Sequence, residues 1–241
     1  MEEKILGKDS LLELLSELEK YRSENPDVLS IYIAPKSPLP EIPEIFLDAI
    51  EKIRRSTTGA VIFSWEAQEK NIIIFPPFPV NRNEIFHDNF FKTEQLRNIL
   101  TKKYFLGIVL LRLGEYAVGI FEGDKLVSSK CGKRLVRAKH RKGGYSQARF
   151  QRIRGVQADK FFDEVYNSLK NKFEPHLSKF DHILYGGTKI TIKDFLKRNH
   201  LLKKLSEKTL DRILAVQEIN KKALENILKE VWKTKIYEVG K

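Results

Sequence analysis

The residues best suited to chemistry in this 241-residue chain lie in one basic segment, residues 130–154. It reads KCGKRLVRAKHRKGGYSQARFQRIR and holds ten Lys or Arg residues and no acidic ones. The whole chain has 44 basic and 32 acidic side chains, so the other residues hold 34 and 32, a charge of only +2. Because like charges at this density repel one another, the segment favours a polyanionic partner such as a phosphate backbone. The alternative interpretation is an ordinary solvated basic loop.

Two adjacent glycines mark the centre of this segment. Gly143 and Gly144 favour a sharp bend, or a close approach of the backbone to another molecule. Ser146 is suited to cap a following helix, whose first N–H groups would point towards the bend, and Gln147 adds a neutral amide. We therefore predict a basic finger, bent at the glycines, that inserts into a cavity lined by RNA. Its spacing matches neither a Walker A loop nor a dinucleotide fingerprint.

Hydrophobic periodicity predicts the elements that must position this finger. Strands at 104–113, 115–121 and 125–131 form a meander that ends where the basic segment begins. The elements after the segment alternate: a helix at about 157–173, a strand at 182–187, a helix at about 191–199, a strand near 211–217 and a final amphipathic helix over 223–231. This order predicts an α/β fold with a mixed β-sheet flanked by helices.

The first hundred residues form an N-terminal α/β extension. A capping-box pattern beginning at Ser10 predicts an opening helix over 10–22. Further helices are predicted at 44–55 and 93–101, and strands at 28–35, 60–65 and 71–75, joined by proline-rich connectors. We divide the chain into an N-terminal α/β region, 1–100, and a second domain, 101–241, which carries the basic Gly-Gly loop at 133–149.

Composition excludes several other classes of protein. At 41% hydrophobic and 32% charged residues, the chain is folded rather than disordered. No apolar run reaches the roughly 18 residues of a membrane span, and the start lacks the layout of a signal peptide, so we expect a cytoplasmic protein without a membrane partner. The single Cys131 excludes an internal disulfide, and the histidines lack ligand spacing, so we expect no metal or cofactor.

Residues 139–154, KHRKGGYSQARFQRIR, resemble the peptidyl-tRNA-hydrolysing loop of class-1 archaeal and eukaryotic translation release factors. In those proteins Lys-His, a basic pair, Gly-Gly-Gln and an Arg-Phe-rich helix occur in this order. The matching residues here are Lys139, His140, Gly143, Gly144, Ser146, Arg149, Phe150 and Arg154. The resemblance extends over about 103–239 and implies the ribonuclease-H-like fold of the release-factor central domain.

One position departs from the release-factor pattern. Tyr145 stands directly after Gly-Gly, where the release factors have their catalytic Gln, and the nearest amide is Gln147. A displaced Gln is similar to the Vms/ANKZF-type peptidyl-tRNA hydrolases of ribosome quality control, which free nascent chains from stalled large subunits. That branch also relies on an arginine before the glycines, for which Arg137 is the best match and Arg134 the second.

The resemblance therefore implies a peptidyl-tRNA hydrolase whose partners are peptidyl-tRNA and the ribosomal large subunit, with its rRNA at the peptidyl transferase centre. The implied catalytic residues are Gln147, Arg137 and Tyr145. The implied RNA-binding residues are Lys133, Arg134, Lys139, His140, Arg141, Lys142, Gly143, Gly144, Ser146, Arg149 and Arg152. The cleaved bond is either the acyl ester or a phosphodiester near the tRNA 3′ end. A non-catalytic ribosome- or tRNA-binding factor and a tRNA endonuclease are the alternatives, and no DNA partner is expected.

Other residues admit two interpretations. Gly186-Gly187 suits either a phosphate cradle or a simple turn between a strand and a helix. The carboxylates of Asp159, Asp163 and Glu164 suit either a metal-dependent nuclease or a solvated helix face. His140 is either structural or an acid–base group for RNA cleavage.

Overall fold

The computed structural model describes residues 1–65, 70–137, 146–197 and 205–240. The chain divides into unit 1, which comprises Met1–Lys102 and Val231–Lys241, and unit 2, which comprises Lys103–Glu230. In the sequence, unit 2 has 28 basic and 14 acidic residues, a formal charge of +14, whereas unit 1 has 16 and 18, a charge of −2. The basic excess of the chain therefore belongs to unit 2.

Unit 1 contains a six-stranded antiparallel sheet with the strand order β1-β11-β4-β3-β2-β5. Its strands are β1 (Glu2–Leu6), β2 (Val28–Ile33), β3 (Ala60–Trp65), β4 (Lys70–Phe75), β5 (Glu84–Asp88) and β11 (Thr234–Val239). Its helices are α1 (Lys8–Leu18), a 3-10 helix (Glu44–Ala49), α2 (Ile50–Arg55) and α3 (Glu94–Thr101). One core lies on the sheet face where Ile31, Ile62 and Ile73 meet Phe46 and Ile53.

Three features of unit 1 differ from the sequence prediction. Helix α1 begins at Lys8, and its N-cap, Gly7, makes no side-chain cap bond, so the predicted capping box at Ser10 is wrong. Strand β2 ends at Ile33 rather than at residue 35, and all six of its residues are buried because both faces of the sheet are covered there. Residues 231–241, placed with the second domain from the sequence, lie in unit 1, since β11 pairs with both β1 and β4.

Unit 2 contains a five-stranded mixed sheet with the strand order β10-β9-β6-β7-β8. The predicted meander is β6 (Phe105–Arg112), β7 (Glu115–Glu122) and β8 (Lys125–Lys133), while β9 (His182–Gly187) runs parallel to β6 and β10 (Thr209–Leu214) runs parallel to β9. The helices are α4 (Ser146–Phe173), a 3-10 helix (Glu174–His176), α5 (Lys189–Leu196), α6 (Lys221–Glu225) and α7 (Leu228–Val231). The predicted fold class, a mixed sheet flanked by helices, is confirmed, although the predicted final helix is two short ones.

The core of unit 2 joins α4 to the sheet. Phe161, Val165 and Leu169 of α4 are fully buried against strand residues such as Val109 and Val118. Apolar side chains at this helical spacing form a continuous stripe, and burial of each stabilises the fold by about 1.5–3 kcal/mol. This packing fixes the C-terminal part of α4 to the sheet from which the basic segment departs.

The second glycine pair forms a tight turn after β9. Gly187 has a φ of 106°, and a Cβ there would lie 2.4 Å from the carbonyl oxygen of Leu111. A Cβ on Gly186 would lie 2.8 Å from the Leu110 side chain. Both positions are thus filled by the protein itself, which supports the turn interpretation. In the described part of the chain, no helix combines the length and apolar character that a membrane crossing needs.

Candidate functional site

The helix after the glycine pair is much longer than the sequence predicted. Helix α4 runs for 28 residues from Ser146, about 42 Å, whereas hydrophobic periodicity placed its start at about 157. Its buried side chains all lie within residues 161–173, and none of the side chains of 147–160 is buried. We call residues 146–160 the outer half and residues 161–173 the core half of α4.

Gln147 lies in the first turn of the outer half and is partly exposed. Its side chain forms no hydrogen bond with any residue that the structure describes. The first N–H groups of a helix have no partner within the helix and carry partial positive charge. The amide of Gln147 therefore stands beside N–H groups that are suited to hold a developing negative charge.

Two exposed arginines follow Gln147 in the outer half. Arg149 and Arg152 are three residues apart and so share a helix face, away from the face that Gln147 shares with Arg154. Neither Arg149 nor Arg152 forms an ion pair with a residue in the described ranges. Their positive charges remain available to an external anion.

The chain that leaves β8 is bound to the outer half of α4 at Arg137. The Arg137 N–H donates to Oε1 of Gln157 at 3.0 Å, and the Arg137 carbonyl accepts from Nε of Arg154 at 3.1 Å. The exposed Arg137 guanidinium has no hydrogen bond or ion pair within the described chain. These two main-chain bonds, the Arg137 clamp, hold the residue in place without neutralising its charge.

Two predicted RNA-binding residues already have acidic partners. Arg134 Nη1 lies 3.1 Å from Oε2 of Glu164, and Lys133 Nζ lies 2.8 Å from Oε1 of Glu115. The hydrogen bond that the Lys133 ammonium donates to the Glu115 carboxylate raises the pKa of Lys133. The segment therefore contains two kinds of cation. Some arginines have no acidic partner in the described chain, whereas Arg134 and Lys133 are paired with acidic residues of unit 2.

The structure describes only part of the predicted site. Lys139, His140, Arg141, Lys142, Gly143, Gly144 and Tyr145 lie outside the described residues, and Ser146 is described only as the first residue of α4. Gln147 and Arg137 both lie along the outer half but not at one point. The Arg137 clamp is seven to ten residues further along the helix than Gln147, about 10–15 Å along its axis.

Two residues that hold the segment in place are not recognisable from the sequence alone. Gln157 forms half of the Arg137 clamp, and Glu164, which was grouped with a nuclease or solvated face, bonds Arg134. The two are seven residues apart, two helical turns, and therefore lie on the same side of α4. That spacing is visible in the sequence, but it predicts these contacts only when the path of the chain after β8 along this side of α4 is known.

Unit 1 contains an apolar cavity of its own. That cavity, of about 680 Å³, is lined by residues that include Leu14, Trp65, Ile72 and Glu238, and by none of the predicted site residues. Within the described ranges, no three His, Cys, Asp or Glu side chains form a potential metal cluster. The candidate site is thus a basic, helix-supported surface suited to a macromolecule.

Comparison with known proteins assigns the class. Residues 105–237 match the model of a family described as Actinobacteria/chloroflexi VLRF1 release factor. The class that the fold and site define is therefore that of the translation release factors. Since the match covers more than half of the chain, the chain belongs to this VLRF1 release-factor family, and its resemblance to the release factors is confirmed.

Individual relatives share a modest fraction of identical residues with this chain. Peptide chain release factor subunit 1 of Archaeoglobus fulgidus is 27% identical over 229 residues, which cover 81% of this chain and 56% of the relative. The chain thus spans about half the length of that curated relative. The crystal structure of archaeal translation termination factor aRF1 has 19% identity and a TM-score of 0.41, covering 94% of this chain and 73% of that one. The Vms1 mitochondrial localization core has 16% identity and a TM-score of 0.32, with coverages of 83% and 85%.

Proposed function

We propose that this protein is a cytoplasmic, ribosome-associated peptidyl-tRNA hydrolase that frees nascent chains from stalled ribosomal large subunits. Membership of a release-factor family supports a role in translation. The observation that carries the finer proposal is the placement of Gln147 in the first turn of α4, whose flank holds Arg137 with a guanidinium that has no partner among the described residues. An amide and an arginine are thus held along one helix, α4.

The chemistry requires a water molecule to attack the acyl carbon of peptidyl-tRNA. Negative charge then develops on the carbonyl oxygen, and neutral amide and N–H donors stabilise it without any titrating base. Removal of one such donor typically costs about 10²–10³-fold in rate. The main contribution of Gln147 would be to position water and the tRNA 3′ end, and a long helix is a rigid support for that purpose.

Arg137, Arg149 and Arg152 would bind phosphates of rRNA or tRNA. Each phosphate contact releases counterions, so binding to large subunits should weaken steeply as salt rises. The same arrangement is compatible with cleavage of the tRNA near its 3′ end, in which the 2′-hydroxyl of a ribose before the terminal one attacks its own 3′-phosphate and the 5′-oxygen of the next nucleotide leaves. The two reactions differ in the product, because only ester hydrolysis leaves an intact 3′ end.

The test is release of a labelled nascent chain from stalled large subunits by the unmodified protein and by Gln147→Ala. Gln151→Ala is the matched control, because Gln151 lies one turn further along α4, is exposed and has no hydrogen bond to a described residue. We expect Gln147→Ala to lose about 10²–10³-fold in release rate and Gln151→Ala to match the unmodified protein. Equal rates for the two variants would contradict the role of Gln147, and sequencing of the tRNA 3′ end identifies the cleaved bond.

A non-catalytic ribosome-binding factor is the second candidate, and it is favoured by Tyr145 in the position after Gly-Gly. In that case the aromatic ring would stack on an RNA base without hydrolysis. Tyr145→Ala should then weaken binding to large subunits, while the unmodified protein releases no peptide. Release by the unmodified protein excludes this candidate. Cleavage of purified tRNA without ribosomes would instead indicate an endonuclease.

A further inference from the structure

A set of side chains ties the start of the basic segment to the body of unit 2. Tyr116 of β7 pairs across the sheet with Gly132 of β8, and its ring covers that glycine so closely that a Cβ would lie 2.3 Å from it. The Tyr116 hydroxyl reaches Oγ of Ser168 at 2.8 Å and donates to Oε1 of Glu164 at 3.3 Å. One buried ring therefore connects β8, the strand in which the basic segment begins, to the core half of α4.

Glu164 extends this connection to the segment itself. Its second oxygen, Oε2, accepts from Nη1 of Arg134 at 3.1 Å, while the Arg134 N–H donates to the Gly114 carbonyl at 2.8 Å. Arg134 is thus held by its main chain and by its side chain. Glu164 is the only carboxylate in the described chain that bonds both Arg134 and Tyr116.

The two contacts of this chain with α4, at Arg134 and at Arg137, are spaced equally along the chain and along the helix. The Arg134 side chain bonds Glu164, and the main-chain N–H of Arg137 bonds Gln157. Three residues of extended chain span about 10 Å, and seven residues of helix also span about 10 Å. Residues 134–137 therefore run along α4 and antiparallel to it, and the position of Arg134 constrains the position of Arg137.

We infer that Glu164 is a positioning residue, and that Arg134 serves with it to hold the segment rather than to bind RNA. The two candidate arginines upstream of the glycines are thereby distinguished: Arg134 is bonded to Glu164, and the Arg137 guanidinium is free within the described residues. As an ion pair at a half-exposed site, Arg134–Glu164 adds little to the stability of the fold, and its role is to fix the position of Arg134. The activity part of this inference rests on the proposed function.

The test compares Glu164→Gln with Asp163→Asn. Both variants remove one negative charge from adjacent positions of α4, but Asp163 is exposed and makes no ion pair with a described residue. At saturating protein, we expect Glu164→Gln to release nascent chains about tenfold more slowly, since a misplacement of about 1 Å costs up to ~10²-fold. Asp163→Asn should keep the unmodified rate, and the two variants should bind large subunits equally.

Hydrogen exchange of the free protein provides a readout that does not depend on release. We expect the amides of Arg134 and Arg137 to exchange faster in Glu164→Gln than in Asp163→Asn. The reversed pair, Arg134→Glu with Glu164→Arg, should recover most of the release rate that each single substitution loses. Such a recovery would not occur if Arg134 bound RNA directly.

The outcomes separate this inference from the proposed function. If the unmodified protein releases no peptide, the proposed function fails, and exchange alone decides the inference. Equal exchange in the two variants overturns it. Equal release rates for the two variants, or no recovery in the reversed pair, overturn it when the unmodified protein is active.

Discussion

The two halves of α4 belong to one continuous helix and yet have opposite surroundings. The core half holds Phe161, Val165 and Leu169, which are fully buried against the sheet of unit 2. The outer half has no buried side chain among residues 147–160, and it carries the exposed Arg149 and Arg152. The core half therefore stabilises the fold and the outer half provides a rigid support, so substitutions in the two halves should affect different measurements.

The largest effect on stability should come from the core half. Phe161→Ala removes a ring that is fully buried and should lower the free energy of unfolding by about 3–5 kcal/mol, measured by urea denaturation. Val156→Ala is the outer-half counterpart, and because Val156 is 48% exposed it should change this energy by less than about 0.5 kcal/mol. Similar losses for the two variants would show that the halves are not distinct.

A smaller loss is expected where the basic segment leaves the sheet. Gly132→Ala places a Cβ 2.3 Å from the Tyr116 ring, and such overpacking should cost about 1–3 kcal/mol of unfolding free energy. In a Tyr116→Leu background the same substitution should cost less, as a double-mutant cycle would show. An unchanged cost in that background would mean that the ring is not what excludes the Cβ.

In the outer half, one substitution should stabilise the protein. Gly155 lies in the interior of α4, and a Cβ added there would meet no described atom within 4 Å beyond its own helix. Gly155→Ala should therefore raise the free energy of unfolding by about 0.5–1 kcal/mol, seen as a higher melting temperature. A lower melting temperature would indicate that the outer half is not an unobstructed helix.

The smallest effect on stability should accompany a change in binding. Arg149→Ala and Arg152→Ala should each alter the unfolding energy by less than about 0.5 kcal/mol, because both residues are exposed. Each should reduce the slope of log binding constant against log salt by about 0.7–0.9, measured with large subunits. Lys125→Ala, at the opposite end of β8 from the segment, removes the same charge and should leave the slope unchanged.

Much of unit 2 was predictable because β6, β7 and β9 are short, mostly apolar runs that end at or next to glycine turns. The start of α4 was not, since residues 146–160 lack the apolar stripe that marks 161–173, and helix propensity alone gives a weak signal. The glycine pair and Gln147 were recognisable from local sequence. The role of Glu164 was not, because it depends on Tyr116 and Arg134, which the fold brings together from distant positions.

Strand β11 affects the order in which the two units can fold during synthesis. β11 is the only strand in the described residues that pairs with β1, and it also borders β4, so the sheet of unit 1 joins the two ends of the sequence. Unit 2 is continuous in sequence and is complete before β11 is synthesised. During synthesis from the N-terminus, unit 2 can therefore fold first. The sheet of unit 1 can be completed only later, because it pairs residues that are far apart in the sequence.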